Sequence, residues 1–522
     1  MYALGIDIGT TSICAAVVEY ESARVIKSVT APNDSYIAAC DFESVQDPRV
    51  ILSTVIGVCA DLCRAYKPIA AIGLSCQMHG ILYIDDAGDA ASPLYTWQDG
   101  RGDLTAPGGG VSYAGELAAL SGRGSSLATG YGAVTHYYNT RNRIVPKNAA
   151  GLCTIGDYVG MKLTGSSKCR THASNAASIA LYRFGERKFD GGAISKAGMD
   201  PSFFPEVETG CVLLGETRGA VLDENGNNIT GGIAAGIPVS CCIGDNQASY
   251  LGSVAKPDDS VLINVGTGGQ ISVSGANLKD TPRLEIRPLS GDRFLQVGAT
   301  LCAGRAYAAL ERFFASVLKM AGAAGPDSLY DAMGAALENA GGGDGSGGGR
   351  SGESRSGGGG AGGGESNVSS SAESGGGGGS GRDRGGDGGD GGDGLLVVST
   401  LFSGTRDDPD LRGSITNIGL GNFTPRHLIS GVLEGIAEEF YGLYEQMDGA
   451  GKRGMLVGSG NGLRKNAYLV KTLSRRFGMR IHIPVHTEEA AFGCAQFALT
   501  ACGHYGGLSE AQSRISYIDA EL

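Results

Sequence analysis

The chain has 522 residues, of which 42% are hydrophobic and 18% charged, and a net charge of −12. That length suits two or three separately cored domains, and the acidic balance argues against general nucleic-acid binding. No run approaches ~18 uninterrupted apolar residues and the amino terminus enters a strand at once, so neither a membrane span nor a secretory signal is expected.

Residues 3 to 8 predict a buried strand, Gly9-Thr10-Thr11 a tight turn and residues 13 to 18 a strand folded back on the first. Glycine lets backbone N–H groups approach a phosphate, the Thr10, Thr11 and Ser12 hydroxyls suit its oxygens, and Asp7 suits a hydrated Mg2+. Such a turn is by itself commonly only a turn. Residues 24 to 29 predict a third strand, Asp47-Pro48 opens a helix with Ile51, Val55, Val58 and Leu62 on one face, and residues 69 to 74 return as a strand. This is the order of a ribonuclease-H-like or actin-like ATPase domain.

That strand runs into Ser75-Cys76-Gln77-Met78-His79-Gly80, placing an amide and an imidazole where open α/β sheets bind ligands. Next come Trp97, the single tryptophan, and Gln98, Asp99 and Arg101. An aromatic face beside an amide, a carboxylate and a guanidinium suits a polyol, and equally suits a loop packed by an ion pair. A mostly helical region follows, with Asp157-Tyr158-Val159 and Asn175-Ala176-Ala177-Ser178 as further candidate pocket wall.

A strand over residues 238 to 243 leads into Gly244-Asp245-Asn246-Gln247. Asp245 sits at a strand-to-helix junction, either as an ordinary helix cap or as the base a phosphoryl acceptor hydroxyl needs. The pattern of residues 3 to 18 then recurs at 262 to 271, with Asn264 where Asp7 stood and Gly266-Thr267-Gly268 as the turn. Two such hairpins suggest two similar domains offering phosphate-binding turns to one nucleotide.

Residues 341 to 394 are almost wholly Gly, Ser, Asp, Arg and Glu with a net charge of −4, and are expected to be a disordered insert. A strand is expected at 395 to 399, a helix at 425 to 447 with an apolar stripe from Ile429 to Leu443, and a strand, glycine turn and helix around Gly458-Ser459-Gly460-Asn461, bare enough for an adenine. Residues 488 to 495 begin a small-residue helix suited to close packing. The thirteen cysteines form no CxxC pair and read as reduced thiols of a reducing, cytoplasmic compartment.

In this order the segments resemble the FGGY family of carbohydrate kinases, of the actin and Hsp70-like ATPase superfamily. The resemblance implies an α/β fold of two ribonuclease-H-like domains around a central cleft: 1–237 for sugar and ATPase functions, 238–340 with 395–522 for nucleotide, and 341–394 as the insert. It implies Asp7 toward Mg2+; Thr10, Thr11, Ser12, Gly266, Thr267, Gly268, Gly458, Ser459, Gly460 and Asn461 toward ATP; and Gln77, Met78, His79, Trp97, Asp99, Arg101, Asp245 and Asn246 toward sugar, with Asp245 as catalytic base. Within the family Gln77-Met78-His79-Gly80 is similar to both xylulokinases and sedoheptulokinases, and the segments at 96–101, 128–132, 157–159, 175–178 and 247–249 look like the latter. A ketose and ATP are thus the implied partners, with no nucleic acid or membrane, in a monomer or homodimer. The second phosphate turn departs from the family's usual Gly-Thr-Ser, since Gly268 lacks the final hydroxyl. The rival of another class is an Hsp70- or actin-like nucleotide-driven binding protein.

Overall fold

The computed structural model describes residues 1–37, 40–122, 127–219, 232–279, 281–338, 394–405, 408 and 410–519. Residues 341–393 of the expected insert lie outside them. The fold divides into a large unit (Met1–Leu310, Val398–Ser414 and Val432–Leu522) and a small one (Glu311–Val397 and Ile415–Gly431). Among the described residues no helix is long and apolar enough to cross a membrane.

The large unit is built on two seven-stranded sheets. The first contains β1 (Tyr2–Ile8), β2 (Ser12–Glu19), β3 (Arg24–Pro32), β4 (Ile69–Cys76), β5 (Leu213–Glu216), β6 (Pro238–Ser240) and β7 (Ile243–Gly244), in the order β5-β6-β4-β1-β2-β3 with β7 also on β4. Their alternation of β-branched and small residues buries both faces, and α1 (Pro48–Ala65) covers one with Ile51, Val55 and Cys59. The second sheet repeats the plan with β8 (Ser260–Val265), β9 (Gly269–Gly275), β10 (Leu284–Ser290), β11 (Arg293–Thr300), β12 (Met455–Ser459), β13 (Ile481–Pro484) and β14 (Tyr517–Asp519), ordered β10-β11-β9-β8-β12-β13-β14. In each, an antiparallel hairpin lies beside a parallel strand: β1 pairs β2 and β4, as β8 pairs β9 and β12.

The strand expected over 238–243 is broken. Cys241 and Cys242 separate β6 from β7: Cys241 N–H still bonds the Val212 carbonyl (2.8 Å), and side chains take over from there. Asn175 Nδ2, on α2 (Ala173–Ile179), donates to the Cys242 carbonyl (3.1 Å), and Gly244 N–H donates to Ser174 Oγ (3.0 Å). The strand expected at 395–399 is present over Val397–Ser399.

α3 (Asp245–Ser253) follows β7, α4 (Ala303–Met320) follows β11, and α5 (Pro425–Tyr444) carries the expected stripe, with Val432, Leu433, Ile436, Phe440 and Leu443 buried. The small-residue helix α6 (Glu489–Ala501) lies directly on backbone. Gly5 and Gly73 are register partners in β1 and β4, and a Cβ on them would stand 1.8 Å from the Ala491 oxygen and 1.9 Å from the Cys494 oxygen. Gly493 faces the Ala248 oxygen of α3 in the same way, at 1.9 Å. In the small unit, Glu311 accepts hydrogen bonds from Leu329 N–H (3.0 Å) and Ser328 Oγ (3.2 Å), just ahead of the helix Tyr330–Glu338.

Candidate active site

Asp7 ends β1 and is the register partner of Ser75 on β4, whose hydroxyl donates to Asp7 Oδ1 at 2.7 Å. Its carboxyl is held above the usual carboxylate range, first by burial and also by Glu488, with Ser75 opposing. Asp245 opens α3 and its carboxyl is pushed up to about 7, first by burial and then by the negative charge of Asp7, with the Asn246 N–H and Arg287 opposing. A buried carboxylate whose negative charge raises the proton affinity of a neighbouring one suits a divalent cation, and Mg2+ needs only one or two carboxylates, with water and phosphate completing its shell. Among the described residues no cluster of three or more metal-ligating side chains occurs, so a fully protein-built cage is absent there.

The first phosphate turn is closed by Gly9 N–H to the Ser12 carbonyl (2.9 Å) and braced by Asn33, which donates from Nδ2 to the Gly9 carbonyl (2.8 Å). Thr11 is exposed at the tip. Thr10 looks elsewhere: its hydroxyl donates to Gln77 Oε1 (3.1 Å) and accepts from Trp97 Nε1 (3.0 Å). Gln77 in turn donates to Gln46 Oε1 (2.9 Å), and Gln46 Nε2 donates to the Thr10 carbonyl (2.8 Å). One closed network therefore joins the hairpin to Gln77 and Trp97. Gln46 was not legible beforehand, since it stands alone in a two-residue strand (Val45–Gln46) with no motif around it.

Trp97 is 46% exposed, leaving a face for a ligand. Its loop is seated on Gly130, where a Cβ would fall 1.9 Å from the Trp97 carbonyl oxygen and φ is +78°. His79 holds φ of +74°, a strained conformation for a non-glycine residue. Its N–H donates to Ser178 Oγ (3.1 Å), its Nδ1 donates to the Ser178 carbonyl (2.9 Å), and its ring stacks on Tyr131 at 4.5 Å. A carbonyl only accepts, so the proton lies on Nδ1 and Nε2 is the acceptor. Met78 packs under Gly244, where a Cβ would meet its sulfur at 2.9 Å.

Asp99 and Arg101 correct an expectation. They are 0% and 1% exposed, with Asp99 Oδ1 taking Arg101 Nε (2.6 Å), Asp99 Oδ2 taking Nη2 (3.1 Å), and Arg101 Nη1 bonded to Asn139 Oδ1 (2.7 Å). A desolvated ion pair survives only when its polar atoms are matched, and these match one another beneath the Trp97 loop. Asn246 is likewise engaged at both ends: Nδ2 donates to Gln270 Oε1 (2.6 Å) and Oδ1 accepts from Arg287 Nη1 (3.2 Å).

The second phosphate turn, Gly266-Thr267-Gly268, is closed by Gly266 N–H to the Gly268 carbonyl (3.0 Å), with Gly266 and Thr267 exposed. α4 begins against it: Arg305 N–H donates to the Thr267 carbonyl (2.9 Å), and a Cβ on Gly304 would lie 2.2 Å from the Gly266 oxygen. Gly268 is tight as well, a Cβ there falling 3.0 Å from the Thr300 oxygen. Asn264 repeats the position of Asp7. It is the register partner of Ser459 and donates to its hydroxyl at 2.9 Å. Gly460 (φ +86°) caps the short helix Asn461–Arg464 against the Val265 carbonyl, with Asn461 exposed and Gly458 packed on Ile481 and Leu463.

Residues 2–252 match the family model for the FGGY family of carbohydrate kinases, N-terminal domain. These residues belong to the FGGY family. The chain is similar to the sedoheptulokinase of Mus musculus, 28% identical over 303 residues (52% of this chain, 58% of that protein). It is also similar to the xylulose kinase of Streptomyces rubiginosus, 26% identical over 273 residues (51% and 53%). The chain thus spans little more than half the length of the curated relatives it matches. The structure of xylulose kinase from Rhodospirillum rubrum superposes with a TM-score of 0.74 at 20% identity, covering 99% of this chain and 93% of that one. The FGGY domain therefore stands in an actin- and Hsp70-like α/β fold of two related sheets.

Proposed function

We propose that the chain transfers the γ-phosphoryl group of ATP to a ketose, with sedoheptulose, phosphorylated at its C7 hydroxyl, as the first choice. One observation supports this above the rest: Asp245 stands at the first turn of α3 with Asp7 close enough to raise its proton affinity, and Asp7 ends the strand that leads into the exposed Thr11 turn, while the second sheet carries an exposed turn of the same kind at Gly266-Thr267. A buried base beside a metal-suited carboxylate, with two phosphate-suited turns, is what direct transfer to an alcohol needs.

In this reading the sugar lies along Trp97, with Gln77 and His79 Nε2 toward its hydroxyls. Asp99 and Arg101 fix the loop that carries Trp97. Asp245 accepts the proton of the attacking hydroxyl late, as the new O–P bond forms. Thr11 and Thr267 present hydroxyls to phosphate oxygens, and the bare turn at Gly458, Ser459, Gly460 and Asn461 takes the adenosine. Asp7 would hold Mg2+, which when bound would supply neutralisation of the nucleotide's phosphate charge. We place the division between sugar-side and nucleotide-side halves at residues 237 and 238.

D-Xylulose is the second reading, favoured by the similarity to xylulose kinases. ATP consumption measured with sedoheptulose, D-xylulose, D-ribulose and glycerol, with mass analysis of the product, separates the two. Preference for sedoheptulose with a 7-phosphate product supports the first, and preference for xylulose the second. ATP binding with no stimulation by any sugar turns the reading to a nucleotide-driven binding protein.

A further inference from the structure

Asn246, the neighbour of Asp245, is gripped from the second sheet in a way that fixes a third residue. Arg287 is 7% exposed and anchored on Glu285, through Nη2 (2.6 Å) and Nε (3.0 Å). A guanidinium only donates, so its contact at 3.2 Å makes Oδ1 the end of Asn246 that faces it. The Asn246 NH2 is thereby turned to Gln270, which must answer with its oxygen, at 2.6 Å. The Gln270 NH2 is left pointing away from Asn246, and among the described residues it has no hydrogen-bond partner. Gln270 is half-buried on β9, two residues after Gly268 and opposite Asn264 in register. It therefore joins the phosphate turn to the residue beside the base.

We propose that Gln270 Nε2 donates a hydrogen bond to an oxygen of the γ-phosphoryl group. The proposal rests on the kinase reading above. During transfer the sugar oxygen forms its bond to the γ-phosphorus, the bond from that phosphorus to the bridging oxygen of ADP breaks, and the hydroxyl proton passes to Asp245. Gln270 surrenders no proton. A neutral donor suits the place, because a lysine would lock the base as a carboxylate, whereas an amide whose direction is set by Arg287 adds a contact without charge.

Gln270→Glu tests this in the sensitive direction, because the oxygen that accepts from Asn246 is kept while the donor is replaced by a negatively charged oxygen, and Gln270→Met separates the lost donor from the added charge. The dissociation constants of MgADP and of Mg2+ with a non-hydrolysable ATP analogue are measured for both proteins. The variant is expected to bind the ATP analogue about 10–100-fold more weakly, as for a lost hydrogen bond to a charged group, and MgADP within about twofold. Gln270→Met, which removes the donor without adding charge, is expected to show the same selective loss to a smaller degree. Equal loss for both nucleotides, or loss for neither, overturns the proposal. A wild-type protein that binds both nucleotides but phosphorylates no sugar removes the kinase reading, while the difference between the nucleotides still decides the contact.

Discussion

Asp245 is pulled in two directions: its burial and Asp7 favour the proton, whereas the proposed task as base requires the carboxylate. Asp245→Asn is expected to lose ~10³-fold or more in kcat, combining base removal with a misplaced acceptor; steady-state assays check it, and a loss under tenfold rejects the role. A pH profile follows from the same geometry. With the carboxyl pushed up to about 7, the active ionised form is depleted below that pH, so kcat/KM, which reports the free enzyme, should rise with pH and level off above about 7. The limb in kcat should lie lower, because a bound cation favours the carboxylate. A flat profile between about pH 5.5 and 8 would sink the assignment. At this scale the sequence singles out candidate side chains but not which of their polar atoms are already engaged. Thr10 was read as a phosphate ligand and its hydroxyl proton goes to Gln77, while Asp99 and Arg101 looked like sugar ligands and satisfy one another. Hydrogen-bond partners 30 to 70 positions away, such as Asn139 and Gln77, leave no local trace.

Among the elements, α6 approaches the strands of the first sheet and α3 most closely at glycines, with Phe492, Cys494 and Ala495 packed around those contacts. Gly493→Ala would set a Cβ 1.9 Å from the Ala248 oxygen, a backbone atom that cannot swing aside. We expect a loss of about 2–4 kcal/mol in urea unfolding, as for severe overpacking. Gly57→Ala in α1, where nothing lies within 4 Å, is the control and should be neutral or stabilise by up to about 1 kcal/mol. The small-residue pattern at 488–495 announced close packing in advance. The break between β6 and β7 did not announce itself, because 238–243 reads as one mostly apolar strand, and the hydrogen bonds at its end come from Ser174 and Asn175 of another element.

The large unit repeats one plan, and the repeat extends to a single hydrogen bond reversed in sense. Ser75 donates to Asp7 in the first sheet, and Asn264 donates to Ser459 in the second. Asn264→Asp should therefore fold, since Ser459 can turn donor as Ser75 does, with a melting temperature within about 2 °C of wild type. It would add a third carboxylate where phosphates are expected, and KM for MgATP should rise about tenfold by like-charge repulsion. Initial rates against ATP concentration check this; an unchanged KM would place Asn264 away from the phosphates.

The first three strands with the strand after α1, the two hairpins and the candidate base were determined by the sequence, because apolar alternation and glycine turns are local signals read within ten residues. What only the tertiary structure decided is which polar atoms are already taken. That depends on Gln46, Asn33, Ser75, Gln270 and Arg287 arriving from distant strands. A buried polar atom must be paired, and its partner is chosen by the packing of the sheets rather than by its neighbours in the chain.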